Sequence, residues 1–421
     1  MLHIEKPLEH TFQESRDRVA KRQFYWQKFR SMGLPTRKEE AWKYTALQAL
    51  YKKHGIARIY AEAVTPEAAP DLSSLCLSKA HYNLVIYDGV LLHNEIKHRG
   101  VKLTARPPMS ESELDGPQYA TRYLNQATAV GGFTLALDCG VRLDKPVMIS
   151  YIHSQKCDHA VLSYRNQVLL DAGADCHLYE QQVSLSQQKS ALNLETRFIL
   201  KNGASCIYDK VSKQDESGLL STRIFVIEIG KDAKFQTFCS APNAILSRDD
   251  FIVRLMQKGA SFDAKGLYIL GGKTHNDYHF DVRHLASHTE SVVDFKGIVS
   301  ESTKAVFNAS AFVDKNLQGI KALQCNNNLQ LSATCEINTK PELEIYSDDV
   351  VCTHGVTIGW LDQAALFYLT SRGIPLTKAH YLLMEAFAKE VILKLSRDAS
   401  VIEDYINVLE RRIKNILPSD E

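Results

Sequence analysis

A glycine recurs through the middle of the chain, each time in the same local setting. LLDAGADCHLY surrounds Gly173, ILKNGASCIYD Gly203, IEIGKDAKFQ Gly230 and LMQKGASFDAK Gly259, with a weaker copy, LDCGVRLDKP, at Gly140. The separations are 33, 30, 27 and 29 residues. Each glycine follows apolar strand-type residues and precedes, by three positions, Leu143, Cys176, Cys206, Ala233 and Phe262. A period near 30 with β patterning and a turn glycine predicts a stacked β-solenoid. Hairpin-built sandwiches space their turn signals by about 8–12 residues. Helical repeats have similar periods, but these units are rich in Val, Ile, Tyr, Phe and Thr. The chain is therefore read as mainly β, with a right-handed parallel β-helix core over residues 131–358. Cys176 and Cys206, at equivalent repeat positions, read as core residues.

The flanks have a different texture. Residues 1–130 read as an α-rich N-terminal domain, with Phe12, Val19, Phe24, Trp26 and Phe29 at loose helical spacing. Thr36 and Glu39 form a capping-box pattern that predicts a second helix through Trp42. Residues 57–75, with Pro66 and Pro70, read as a linker, and YNLVIYDGVLLH (82–93) as two short strands about Asp88-Gly89. Residues 359–421 read as a helical C-terminal domain. LDQAALFYLTSRG ends at Gly373 with Pro375 beyond it, a helix-stop pattern. Helices at 376–395 and about 401–416 follow. Solenoid ends expose an unfinished core and need caps, so this tail is a cap or a docking surface.

With 50 basic and 49 acidic residues, the chain has no field to draw nucleic acid or an anionic membrane. No window approaches the roughly 18 apolar residues of a membrane span, and MLHIEKPLEHTFQ lacks a secretory h-region. A cytoplasmic location with nine reduced cysteines is expected. None of them forms a C-x-x-C pair.

The chemistry centres on PELEIYSDDVVCTHGVTIG (341–359), where Cys352 and His354 stand two residues apart in a strand pattern. On a strand such a pair shares one face, roughly 6–7 Å apart. That is half a soft-metal site, because iron–sulfur clusters and zinc need about four ligands. His275, His279, His284 and His288 form a second metal-capable cluster, but intervening acids and Arg283 favour a solvated polar face or a subunit contact. Gly266 to Thr274 approaches a P-loop with one residue too many and strand residues as its spacer, so it is rejected. Asp348 and Asp349 are adjacent, hence on opposite strand faces, and cannot act as paired catalytic carboxyls. Cys325 and Cys335, near Asn326 to Asn328, remain open. A stand-alone metal protein using the 275–288 histidines and a carbohydrate-active β-helix enzyme are the alternative readings.

Three segments, GLPTRKEEAWKYT (33–45), NNNLQLSATCEINTKPELEIYSDDVVCTHGVTIG (326–359) and LFYLTSRGI (366–374), resemble the SufB/SufD family of SUF iron–sulfur cluster assembly subunits. The first segment and the Cys-x-His-Gly form are similar to the SufD branch. The resemblance implies a non-catalytic scaffold that pairs with SufB through the β-helix ends. It also implies two SufC ABC-type ATPases docked on the C-terminal helices, here 362–395. His354 then corresponds to a residue at the subunit interface implicated in forming a transient cluster shared with SufB, and Cys352 to its family neighbour. A reduced flavin in the complex, with no motif to place it, is a further implication, and whether the chain alone forms a homodimer is left open by the sequence. Trp360, Ala365 and Asn308-Ala309-Ser310 depart from the family pattern.

Overall fold

A computed structural model describes residues 15–60, 80–105, 116–185, 188–212 and 216–417, together with Leu2 and Met109. Most of the expected linker at 57–75, and the first residues of the helix expected at 11–32, lie outside the described residues. Twenty strands form two sheets of ten. From Phe133–Leu137 to Val350–Gly359 the chain alternates between them strand by strand. Pairs within this run are parallel, as a solenoid requires.

One inward column shows how the sequence closes the core. Cys176, Cys206, Phe235, Phe262, Ser291, Ala322 and Cys352 stack as successive ladder partners. Cys176 and Cys206 are buried there with sulfurs 4.0 Å apart, as the repeat predicts. The fourth repeat is shifted, however. Cys206 pairs with Phe235 rather than Ala233, and the left-handed turn position belongs to Asp232 (φ 54°), not Gly230. Its short side chain tolerates that conformation better than most. Gly230 is needed for space, since a Cβ there would lie 2.8 Å from the Leu200 carbonyl oxygen.

Strands from the first 130 residues also join the sheets. Arg58–Tyr60 and Tyr82–Tyr87 add in parallel, while Val90–Asn94 and Val101–Ala105 fold back antiparallel at the N-terminal end. Helix α1 (Arg16–Met32) precedes them. The Thr36 N–H donates to the Glu39 carboxylate at 2.7 Å, as the capping box predicts, but only a single 3₁₀ turn, Glu40–Trp42, follows. Tertiary ties override the helix. The Trp42 ring lies 3.8 Å from the Arg248 guanidinium on the sheet's outer face, and its indole donates to the Gln118 carbonyl at 3.0 Å. Helix α2 (Leu47–His54) then starts afresh, and α3 (Ala120–Thr128) is buried along its whole length.

Helices α4 (Gln363–Ser371), α5 (Leu376–Leu393) and α6 (Ala399–Ile416) follow the last strand. Met384, Val391, Leu409 and Ile413 on α5 and α6 pack on Met148, Phe238, Leu267 and Ile298 from the outer face of the second sheet. Asp209 pins this layer from within. It accepts from Arg397 at 2.8 and 2.9 Å and from the Tyr405 hydroxyl at 2.7 Å, and it faces His177 Nε2 at 3.1 Å. Burial opposes its ionisation, but the Arg397 and His177 bonds prevail and hold its pKa near about 2. Among the described residues no helix is long and apolar enough to cross a membrane.

Buried histidines set an acid limit on this fold. Burial holds His153 and His284 down to about 4 from an ordinary 6.5. Between those values the unfolded chain binds protons that the folded chain excludes. Their contribution to stability is therefore complete above 6.5 and is lost as pH falls through about 4. Asp209 acts lower, its contribution present above 3.8 and lost through about 2. Urea midpoints should fall between pH 7 and pH 5, before most carboxylates titrate. A flat profile over that range contradicts the assignment.

Candidate functional site at the open end of the solenoid

The last turn consists of Glu336–Ile345 in one sheet and Val350–Gly359 in the other, each the terminal strand of its sheet. Register decides which side chains face the opening. Thr339, Pro341 and Leu343 stand above inward-facing Phe307, Ala309 and Ala311. Opposite, Cys352, His354, Val356 and Ile358 stand above buried Ala322, Gln324, Asn326 and Asn328. Cys352 and His354 therefore project side by side into a mouth whose other side chains are apolar except for Thr339. Glu336, Lys340, Glu342 and Glu344, of opposite parity, belong to the outer face.

Cys352 is half-buried and His354 exposed. Burial pushes the Cys352 thiol up, partly offset by a backbone hydrogen bond from Ala322, so the free thiol is protonated at neutral pH. Among the described residues no group of three or more His, Cys, Asp or Glu side chains converges to hold a metal. Cys352 and His354 thus stand as a pair at the unfinished end of the core.

Beneath the mouth lies a row of buried carboxamides that sequence reasoning passed over. Gln324, Asn326 and Asn328 alternate on the inward face of Ile320–Gln330 and are 5%, 1% and 2% exposed. With its amide oriented so that both ends are satisfied, Gln324 donates to the Ala309 carbonyl and accepts from the Ala311 N–H, each at 3.1 Å. Asn326 donates to the Tyr268 hydroxyl at 3.0 Å. Asn328 donates to Asn326 at 2.8 Å and to the Thr357 carbonyl of the mouth strand at 3.2 Å. The N-x-N alternation was the available signal.

The remaining sequence candidates disperse. His284 is buried between Thr289 (2.8 Å) and Ser291 (2.9 Å), whereas His275 meets the Thr45 hydroxyl at 3.0 Å and His279 meets Asp277 at 2.8 Å. His288 sits in a turn with φ 57°. In the P-loop-like segment a Cβ on Gly266 would lie 2.0 Å from the Phe295 ring, and the Gly272 N–H is taken by the Glu301 carboxylate. Asp349 accepts the Gly319 N–H at 2.9 Å, a turn contact. Cys325 is half-buried beside Asn327, and Cys335 is buried against the Ser332 carbonyl.

Near the mouth strand a second surface is apolar and exposed. Trp360, Phe367, Tyr368 and Leu376 are all more than half exposed, Phe367 at 74%. Asp362 caps α4 through its carboxylate, accepting from the Ala364 and Ala365 N–H groups.

The family profile for "SUF system FeS cluster assembly, SufBD core domain" matches residues 151–387. The chain belongs to the SufBD family. Similarity to individual members of this family spans most of the chain. It is 26% identical to the iron–sulfur cluster assembly protein SufD of Escherichia coli K12 over 419 residues, covering 96% of this chain and 95% of that one. It is 26% identical over 397 residues to the SufBD family protein slr0076 of Synechocystis, covering 89% and 86%. Over 100 residues it is 40% identical to the chloroplastic protein ABCI7 of Arabidopsis thaliana, 24% of this chain and 21% of that one. The SufBD core match contains both terminal strands, and so both Cys352 and His354.

The flavin implied by the resemblance does not fit either of two clefts among the described residues. One, about 340 Å³, has Lys273 and Arg412 but no aromatic wall. The other, about 370 Å³, is lined by Met148, Tyr179 and Tyr405, but also by Asp398 and Asp404, which would repel a flavin's phosphate.

Proposed function

We propose that this chain is a non-catalytic scaffold subunit that pairs with a SufB-like chain through its open solenoid end and shares a nascent iron–sulfur cluster across that interface. One observation carries the reading. A thiol and an imidazole stand side by side at the unfinished end of a solenoid, about half of the ligands a cluster needs. The rest must come from a facing protein. His354 binds iron through one imidazole nitrogen. Cys352 is the weaker donor, because its thiol must first lose a proton that burial retains. The cluster is cargo, formed and passed on.

The exposed aromatics of α4 form the docking surface for a SufC-like ATPase in this proposal. Strand Val350–Gly359 runs through Trp360 to Asp362 directly into that helix, so movement there reaches the mouth. In isolation the same solenoid end supports a homodimer. The proposed setting is the cytoplasm, with no nucleic-acid or membrane partner.

Co-expression with SufB-like and SufC-like chains should yield a complex of all three. Phe367→Ser together with Tyr368→Ser should release the ATPase while the solenoid pair persists. Purification of this chain free of both partners would overturn the proposal.

A further inference from the structure

We infer that the buried carboxamide row, and Gln324 above all, positions the mouth strand for cluster formation. The inference rests on the ligand reading of His354. In the column that ends at His354, earlier turns hold Leu178, Tyr208, Thr237, Ala264 and Val293 at the positions below Gln324. The two turns nearest to Gln324, Ala264 and Val293, are apolar. A buried amide there carries a desolvation cost unless it is hydrogen-bonded. Gln324 meets that condition by crossing the core to the opposite sheet, where Ala309 and Ala311 hold both ends of its amide. It is thus a strut between the two sheets in the last covered turn, with His354 directly above it on one sheet and Pro341 above its anchor on the other.

Asn326 and Asn328 extend the row along the strand, and Asn328 reaches up to the Thr357 carbonyl. Among the described residues no further strand lies beyond the mouth strand. Its inward side chains stand on a neutral, hydrogen-bonded floor whose amides do not titrate. Such a floor fixes the spacing between the terminal strands, and so the angle at which His354 and Cys352 meet a facing subunit. Groups hydrogen-bonded directly to a metal ligand are worth about 10–100-fold in metal affinity at other sites, and this row acts one step further back, through the strand that carries the ligands.

Two substitutions separate volume from hydrogen bonding. Gln324→Met fills the same space without an amide. Gln324→Glu keeps an acceptor for the Ala311 N–H but, when ionised, offers no donor to Ala309. In the co-purified complex, Gln324→Met is expected to lower cluster content about tenfold and to alter the visible circular dichroism of the remaining cluster, with Gln324→Glu intermediate. In the cluster-free chain, amide exchange across 350–359 should rise. A Met variant that retains its partners, with cluster content and spectrum unchanged, overturns the inference. Should that variant fail to assemble, the Glu variant decides by the same two readouts. Undiminished clusters in His354→Ala would instead overturn the ligand reading itself.

Discussion

Replacing His354 with Ala is expected to remove at least about nine-tenths of the iron and labile sulfide that the purified complex accumulates, while folding and partner retention stay as they were. The side chain is exposed and, among the described residues, its imidazole has no hydrogen-bond partner, so its removal should change stability by less than about 0.5 kcal/mol. The loss would fall on chemistry alone, because a cluster held by few ligands from each side has none to spare. Cys352→Ser should have a smaller effect, since that thiol is half-buried and held in its protonated form. Iron and sulfide analysis of matched complexes, alongside far-ultraviolet circular dichroism of each variant, is the measurement. Undiminished clusters in His354→Ala would show that the mouth is an interface without a ligand role.

The second large effect is expected at Asp209, more than one hundred residues from the mouth in sequence. Asp209→Ala should destabilise the protein by roughly 3–5 kcal/mol, because it leaves the Arg397 guanidinium buried without its partner. Arg397 has a side chain only 2% exposed, and Tyr405 and His177 converge on the same carboxylate. The damage should concentrate where α5 and α6 meet the second sheet. Amide exchange there should accelerate more than in the core strands, and ATPase retention should fall with it. Asp209→Asn, which keeps the shape but not the charge, should lie between the two. Equal denaturation midpoints for all three proteins would exclude this role.

Much of the architecture was legible because a solenoid writes its period into its turns. Glycines at 140, 173, 203 and 259 hold left-handed backbone positions, which β-branched residues avoid for steric reasons. The same signal hid Asp232 and His288, which take that conformation without being glycine. The repeat thus looked shorter than it is, although the turns continue through His288 and Gly319. Cys352 and His354 were legible as a same-face pair from spacing alone. Their place at an open end depended on counting turns to the last strand. The carboxamide row was missed because asparagine and glutamine are mostly exposed residues. Only long-range contacts with Tyr268 and the opposite sheet make those residues interior. Arg58–Tyr60 and Val101–Ala105 are too short to carry a pattern, and their strand identity comes from their partners.

The two ends of the solenoid differ in kind. At the N-terminal end each sheet finishes on a five-residue strand that has folded back antiparallel, Val90–Asn94 on one and Val101–Ala105 on the other. Short reversed strands of this sort are poor templates for a further strand. The C-terminal end finishes on two ten-residue strands in the parallel direction of the sheets. Units extendable at both ends join head to tail into filaments, whereas a unit extendable at one end can only meet another face to face. Assembly by sheet continuation therefore terminates at two solenoids. In the proposed pairing, raising the concentration would fill that pair and would not lengthen a fibre.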